Sequence, residues 1–211
     1  MDNLIYILFV SVFVPILLMA GLIEKKARQP ISFVLIGIFA SVFAAEVNGL
    51  LRNVLTLRTF EVTITGTPIT EEILKALPIL FYALVISDKT EALFTASMAT
   101  GIGFAVLENA YYLLNADSWN LLDAVIRAFG TGLMHGMCTL LVGAGITFVK
   151  KQRKIFWVGT FALLSTAITY HGIYNMLVQS EYEAIGHLLP ISTYIPFLIW
   201  RLKKKRGKVK Q

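Results

Sequence analysis

Ionisable side chains stand inside the apolar stretches of this sequence, where packing alone would not require them. Each such group costs several kcal/mol in lipid unless it is paired or hydrated. The set comprises Glu46, Arg52, Glu71, Glu72, Lys75, Glu108, Arg127, His135 and His171, with the amides Asn48, Asn53, Asn109 and Asn175 among them. We therefore expect a functional site inside the membrane.

The adjacent carboxylates Glu71 and Glu72 are suited to acid–base chemistry. Two neighbouring carboxylates in a low dielectric cannot both ionise at low cost, so one of them can accept and return a proton. Lys75 follows at helical spacing and can neutralise the other. Hydrolysis needs such a base, a held water and a stabilised oxyanion. The pattern predicts that Glu72 or Glu71 activates the water.

The other polar groups are expected to complete this site. His171 and Asn175 are four residues apart and share one helical face. We expect His135, His171 and Asn175 to position the water or to stabilise the oxyanion. Glu108 and Asn109 are expected to extend the polar cluster.

Zinc is the one cofactor that these residues suggest. Two histidines and a glutamate with one open position form a catalytic zinc set, and zinc lowers the pKa of its bound water to about 7. The candidate ligands are Glu72, Glu108, His135 and His171. They lie in different apolar segments, and the sequence has no H-E-x-x-H string. The sequence favours a glutamate-activated water and leaves zinc open.

The composition indicates which elements must position these groups. The chain is 56% hydrophobic and 15% charged, whereas soluble domains carry about 25% charged residues. Seven apolar segments are long enough, or nearly so, to span a bilayer: 4–23, 31–55, 70–86, 92–114, 124–149, 155–178 and 185–200. We expect a single all-α domain over 1–211, a polytopic bundle of about seven spanning helices. Loop 56–69 could be a strand-like flap, a re-entrant piece or a plain loop.

Positive charges predict the orientation of this bundle. Of the nineteen lysines and arginines, fifteen lie in the loops after the first, third and fifth segments and in the tail 201–211, whereas the even-numbered loops hold only Arg58. Basic loops stay cytoplasmic. We expect the amino terminus outside and the carboxyl terminus inside. The tail would contact anionic lipids rather than nucleic acid.

With that orientation, the candidate residues lie at similar depths. Glu72 is near the outer end of its segment, Glu108 and His171 are one to two turns in, and His135 is about three turns in. Four segments thus bring polar chemistry to the outer half of the membrane. This favours an enzyme over a proton- or solute-coupled transporter, which would show repeated halves. A non-enzymatic membrane scaffold is the other alternative, but it would not need the glutamate pair.

Four strings in this order resemble the PrsW family of bacterial intramembrane proteases, which is related to the type II CAAX prenyl endopeptidases. They are EExxK at 71–75, FxxxEN at 104–109, the stretch from Arg127 to His135, and HGxYN at 171–175. The resemblance covers about residues 65–180, and it departs from the family where Asn175 replaces a frequent Asp. It implies a seven- or eight-helix protein of the cell membrane whose glutamate pair and histidines hydrolyse a membrane-anchored protein, such as an anti-sigma factor.

Overall fold

Seven long helices follow one another in the part of the chain that the structure describes, which contains no strand. The computed structural model describes residues 3–55, 58–87, 89–115, 121–149 and 152–209. The helices are α1 (Leu4–Ala20), α2 (Lys25–Leu55), α3 (Thr67–Phe81), α4 (Thr90–Asn115), α5 (Leu121–Val149), α6 (Phe156–Val178) and α7 (Glu183–Val209). Each coincides with a predicted apolar segment, and the predicted all-α class is confirmed.

The chain before α3 is helical, which corrects the expectation of a strand-like flap or a plain loop at 56–69. One α-helical turn at Thr59–Glu61 and π-helical turns at Val62–Gly66 run directly into α3. The Thr63 and Thr65 hydroxyls donate to the carbonyls four residues earlier, at 2.9 and 2.6 Å. The threonine hydroxyls thus hydrogen-bond to carbonyls within their own helical segment, and the segment pairs with no strand among the described residues. Residues 56 and 57 lie outside the described residues.

Glycines bring α4 close to its two main neighbours, α2 and α5. A Cβ added at Gly103 would overlap the Val34 carbonyl of α2. A Cβ added at Gly101 would lie 2.5 Å from the His135 carbonyl oxygen and 2.8 Å from the Cα of Gly136. Gly132 and Gly136 on α5 have the spacing of a close-packing pair; Gly136 faces Gly101, whereas an added Cβ at Gly132 meets nothing within 4 Å. Gly101 is thus the residue that brings the α4 backbone against His135.

Polar side chains occupy the interior of the bundle, and large apolar ones cover much of its surface. Lys75 and His135 are fully buried, whereas Leu18, Trp157, Val158 and Phe161 are largely exposed. This arrangement suits a lipid environment, in which exposed apolar side chains carry no penalty. Three described helices are long and apolar enough to cross a membrane, within 26–55, 90–115 and 124–147. The chain is a membrane protein, while the seven crossings and their orientation remain predictions.

The basic tail continues α7 as far as Val209. Its side chains beyond Lys203, and all of residues 210 and 211, lie outside the described residues. The proposed contact of this tail with anionic lipid therefore remains a prediction from the sequence.

Candidate active site

Glu72 and Lys75 form the centre of a buried polar cluster. The Lys75 ammonium donates to Glu72 Oε1 at 2.6 Å, and the three-residue spacing on α3 places both groups on one face. Lys75 Nζ also lies 2.7 Å from Nδ1 of His135 on α5. Because an ammonium can only donate, this ring nitrogen accepts. His135 then carries its proton on Nε2.

That proton connects His135 to α4. His135 Nε2 lies 2.5 Å from Oε2 of Glu108, which accepts its hydrogen bond. Glu108 has a second neighbour, since its Oε1 is 4.0 Å from Nη2 of Arg127. The Arg127 guanidinium lies 4.2 Å from the ring centroid of Tyr112. A continuous chain of charges and hydrogen bonds therefore runs from α3 through α5 to α4.

His171 joins the cluster from α6. Its Nδ1 lies 2.8 Å from Glu72 Oε1, the same oxygen that Lys75 contacts. Glu72 pairs with Lys75 as a carboxylate and can only accept, so His171 carries its proton on Nδ1. The lone pair of its Nε2 therefore points away from Glu72. That nitrogen lies 3.9 Å from Oε2 of Glu71.

Glu71 and Glu72 each have a buried Oε2 without a partner among the described residues, but only Glu72 has its other oxygen engaged by Lys75 and His171. The Glu71 side chain is buried. Two acceptors, Glu71 Oε2 and His171 Nε2, thus face each other across a short gap. A hydrogen-bond donor or a cation between them, or a proton on one of the two groups, would satisfy this arrangement. The sequence could not decide which glutamate Lys75 would hold, and the structure pairs Lys75 with Glu72.

A cavity of about 290 Å³, lined by residues of α1, α2, α4 and the turns before α3, reaches Glu71 and Glu108. Both Glu71 and Glu108 line its inner part, and most of the other lining side chains are polar. A cavity of this volume with polar lining groups can admit water, and those groups can hydrogen-bond to the amide groups of an extended peptide.

Glu71, His135 and His171 could hold a metal ion. Each offers a ligand atom, and the three atoms lie within 4.8 Å of one another. Glu72 and Glu108, which were expected among the ligands, instead contact the other ring nitrogens of the two histidines. Carboxylates in that position orient metal-binding histidines. The donor set therefore fits a cation such as zinc, provided that Lys75 leaves Nδ1 of His135.

Two predicted site residues lie outside these hydrogen bonds. Asn175 donates through Nδ2 to the Thr63 carbonyl at 3.0 Å, which ties α6 to the helical turns before α3. Asn109 is buried, and its Oδ1 has no partner among the described residues. The structure brings together Glu71, Glu72, Lys75, Glu108, His135 and His171.

Two residues that lie at the cluster, Phe104 and Arg127, were not identified as site residues from the sequence. Phe104 lies under Lys75, 4.7 Å from Nζ to its ring centroid, and 4.9 Å from the His135 ring. Its spacing of four residues before Glu108 could have placed it on the same face. Arg127 was named among the ionisable residues of the apolar segments, but no role in the site was assigned to it. Its contact with Glu108 crosses between two helices, and no local spacing predicts such a contact.

Comparisons with curated proteins and with solved structures found no match to this chain. The sequence model described as PrsW family intramembrane metalloprotease matches residues 25–201, which include every residue of the cluster. The chain therefore belongs to the PrsW family of intramembrane proteases.

Proposed function

We propose that this protein is an intramembrane endopeptidase that hydrolyses a peptide bond of a membrane-anchored protein in the outer half of the cell membrane. One observation carries the proposal: Glu71, which is buried and lines the polar cavity, has an unpaired oxygen 3.9 Å from His171 Nε2. Family membership supports the reaction class.

The two facing acceptors are suited to hold the attacking water. A water between them donates one hydrogen to Glu71 and the other to His171, which leaves an oxygen lone pair for the scissile carbonyl carbon. Glu71 accepts a proton as the water oxygen bonds to that carbon. It returns the proton to the amide nitrogen as the C–N bond breaks, which yields an acid and an amine.

The neighbouring charges have supporting roles in this scheme. Glu72 fixes the His171 ring through Nδ1, so that Nε2 presents its lone pair to the water. The Lys75 ammonium, enclosed beside His135, stabilises the negative charge that develops on the carbonyl oxygen. Asn175, whose amide is engaged by Thr63, positions the turns before α3 instead of contacting the reacting group.

A metal-dependent variant is the second candidate for the same reaction. The observation that favours it is the trio of Glu71, His135 and His171, with carboxylates behind both rings. The family description as a metalloprotease agrees with it. A bound zinc would supply a water of lowered pKa and a Lewis acid for the carbonyl.

The test compares wild type with Glu71→Gln and His171→Ala on single-pass membrane substrates in detergent. Cleavage is followed by gel, and the new termini are identified by mass spectrometry. We expect each variant to lose at least about 100-fold in kcat/KM, as removal of a proton-transfer group does. Glu24→Gln, at an exposed residue just before α2 and away from the cavity, is the matched control. Equal cleavage by wild type and Glu71→Gln would refute the assignment.

The same preparation decides between the two chemistries. A glutamate-activated water predicts activity that survives a chelator and a purified protein without stoichiometric metal. A metal-dependent site predicts one equivalent of metal in the wild type, loss of that metal in His171→Ala, and activity that a chelator removes and zinc restores.

A further inference from the structure

One face of α2 forms a wall of the polar cavity. Its residues at the cavity are Ser41, Ala45, Glu46, Asn48, Gly49 and Arg52. All of them except Glu46 follow the spacing of a single helical stripe. The small residues among them allow a peptide backbone to approach the helix closely. Gly49 shows the room available, because an added Cβ there meets nothing within 4 Å.

Asn48 presents an unused hydrogen-bond acceptor on this stripe. Its Oδ1 is buried and has no partner among the described residues. A buried amide oxygen left unpaired destabilises the structure. A main-chain N–H of a bound peptide would satisfy it once the partly buried Asn48 side chain turns its oxygen towards the cavity.

Arg52 lies one turn farther along the same stripe, towards the end of α2, and its side chain is exposed. It makes no hydrogen bond or ion pair with any residue that the structure describes. The nearest acid on α2, Glu46, accepts the Tyr6 hydroxyl. The other acidic lining residues, Glu71 and Glu108, lie at the inner end of the cavity within the cluster. Arg52 is therefore an exposed positive charge at the cavity, without an acidic partner among the described residues.

We propose that this stripe is a substrate-binding site that selects an extended peptide with an acidic side chain. Asn48 accepts a main-chain N–H, and Arg52 binds an Asp or Glu carboxylate of the substrate. Four residues of helix rise about 6 Å, and two residues of extended peptide span about the same distance. The acidic residue thus follows or precedes the residue bound by Asn48 by two positions. This inference rests on the proposed peptidase function.

The test is a charge swap between enzyme and substrate. Single-pass substrates carry Asp, Asn or Lys, one position at a time, over about five residues on each side of the cleaved bond. In wild type we expect one position at which Asp exceeds Lys in kcat/KM by about tenfold. Arg52→Glu should reverse that preference, and Arg52→Gln should abolish it. Arg28→Glu, at the opposite end of α2, is the control and should keep the wild-type preference.

Two results would overturn the inference. One is a wild type that cleaves all substrates without a charge preference at any position. The other is an Arg52→Glu variant that keeps the wild-type preference, which would leave Arg52 as an anchor for lipid phosphate. A wild type that cleaves no substrate would instead contradict the proposed function. Thermal unfolding of each variant shows whether it is folded, and Arg52→Gln provides the test if Arg52→Glu does not fold.

An occlusion experiment checks the stripe independently of charge. Gly49→Leu places a side chain in the open part of the cavity, and we expect KM to rise at least fivefold with little change in stability. Gly21→Leu is the matched control, because its Cβ also meets open space, at the end of α1. Unchanged KM in Gly49→Leu would show that the substrate binds elsewhere.

Discussion

Lys75 Nζ and Glu72 Oε1 lie 2.6 Å apart on one turn of α3, and their side chains are 0% and 1% exposed. Removing one member of such a pair leaves an uncompensated charge where neither water nor lipid headgroups can reach it. The pair also contacts both histidines of the cluster, through Lys75 to His135 and through Glu72 to His171. This ion pair therefore connects α3 to α5 and α6 around the site.

Lys75→Met is expected to destabilise the fold by about 3–5 kcal/mol, because it leaves the Glu72 carboxylate buried without its counter-ion. The double variant Lys75→Met/Glu72→Gln should recover part of that loss. The measurement is chemical unfolding in detergent. The exposed pair Arg58–Glu61 has the same three-residue spacing, and Arg58→Met should cost no more than about 1 kcal/mol. Similar costs for the two single variants would contradict the burial argument.

Gly101→Ala and Gly132→Ala should differ sharply although both add one methyl group. At Gly101 the new Cβ would lie 2.5 Å from the His135 carbonyl oxygen, whereas at Gly132 it meets open space. Backbone cannot yield as a flexible side chain does, so α4 and α5 must separate. We expect Gly101→Ala to lose about 1–3 kcal/mol of stability and most activity, and Gly132→Ala to retain both. Melting temperature and cleavage rate measure the contrast.

The sequence predicted the helices well because their apolar runs are long and their ends are marked by charge. It also predicted the Glu72–Lys75 pairing as one of two options, since both glutamates lie at helical spacing from Lys75. The choice between them depends on His171, 99 residues away. The chain before α3 was not predicted as helix, because its threonine-rich composition favours strands and its side-chain hydrogen bonds to the backbone are not visible in the pattern.

Contacts between helices were the other part that the sequence could not supply. Gly132 and Gly136 have the spacing of a close-packing pair, yet only Gly136 lies at the close approach, opposite Gly101 on the neighbouring helix. Asn175 has the spacing to join His171, but Thr63 engages its amide. In both cases the rotation of one helix relative to another decides the contact, and the sequence of a single helix does not contain that rotation.

The membrane orientation can be tested with reporter fusions. A phosphatase that is active only outside the cytoplasm, fused after α1 or after α2, should be active only after α2 if the amino terminus is outside. A fluorescent protein that folds only in the cytoplasm should fluoresce when fused after α7. The opposite pattern would place the polar cluster in the cytoplasmic half, and the outer-half assignment of the site would then be wrong.

Arg127 should affect the rate of the reaction more than the stability of the fold. Its Nη2 lies 4.0 Å from Glu108 Oε1, and its guanidinium packs on Tyr112 at 4.2 Å. Arg127→Gln removes the positive charge beside Glu108, so the His135–Glu108 hydrogen bond loses its fixed geometry. We expect kcat to fall about 10- to 100-fold, as for residues that orient a catalytic histidine, with a nearly unchanged KM.

Arg127→Lys and two Tyr112 variants separate the charge of Arg127 from its planar shape. A lysine keeps the charge but cannot stack as a guanidinium does, so kcat should be only partly restored. Tyr112→Phe keeps the ring and should resemble wild type, whereas Tyr112→Leu releases the guanidinium and should behave like Arg127→Lys. If Arg127→Gln lowers the melting temperature while the remaining folded protein keeps the wild-type kcat, Arg127 is a structural residue and does not position Glu108.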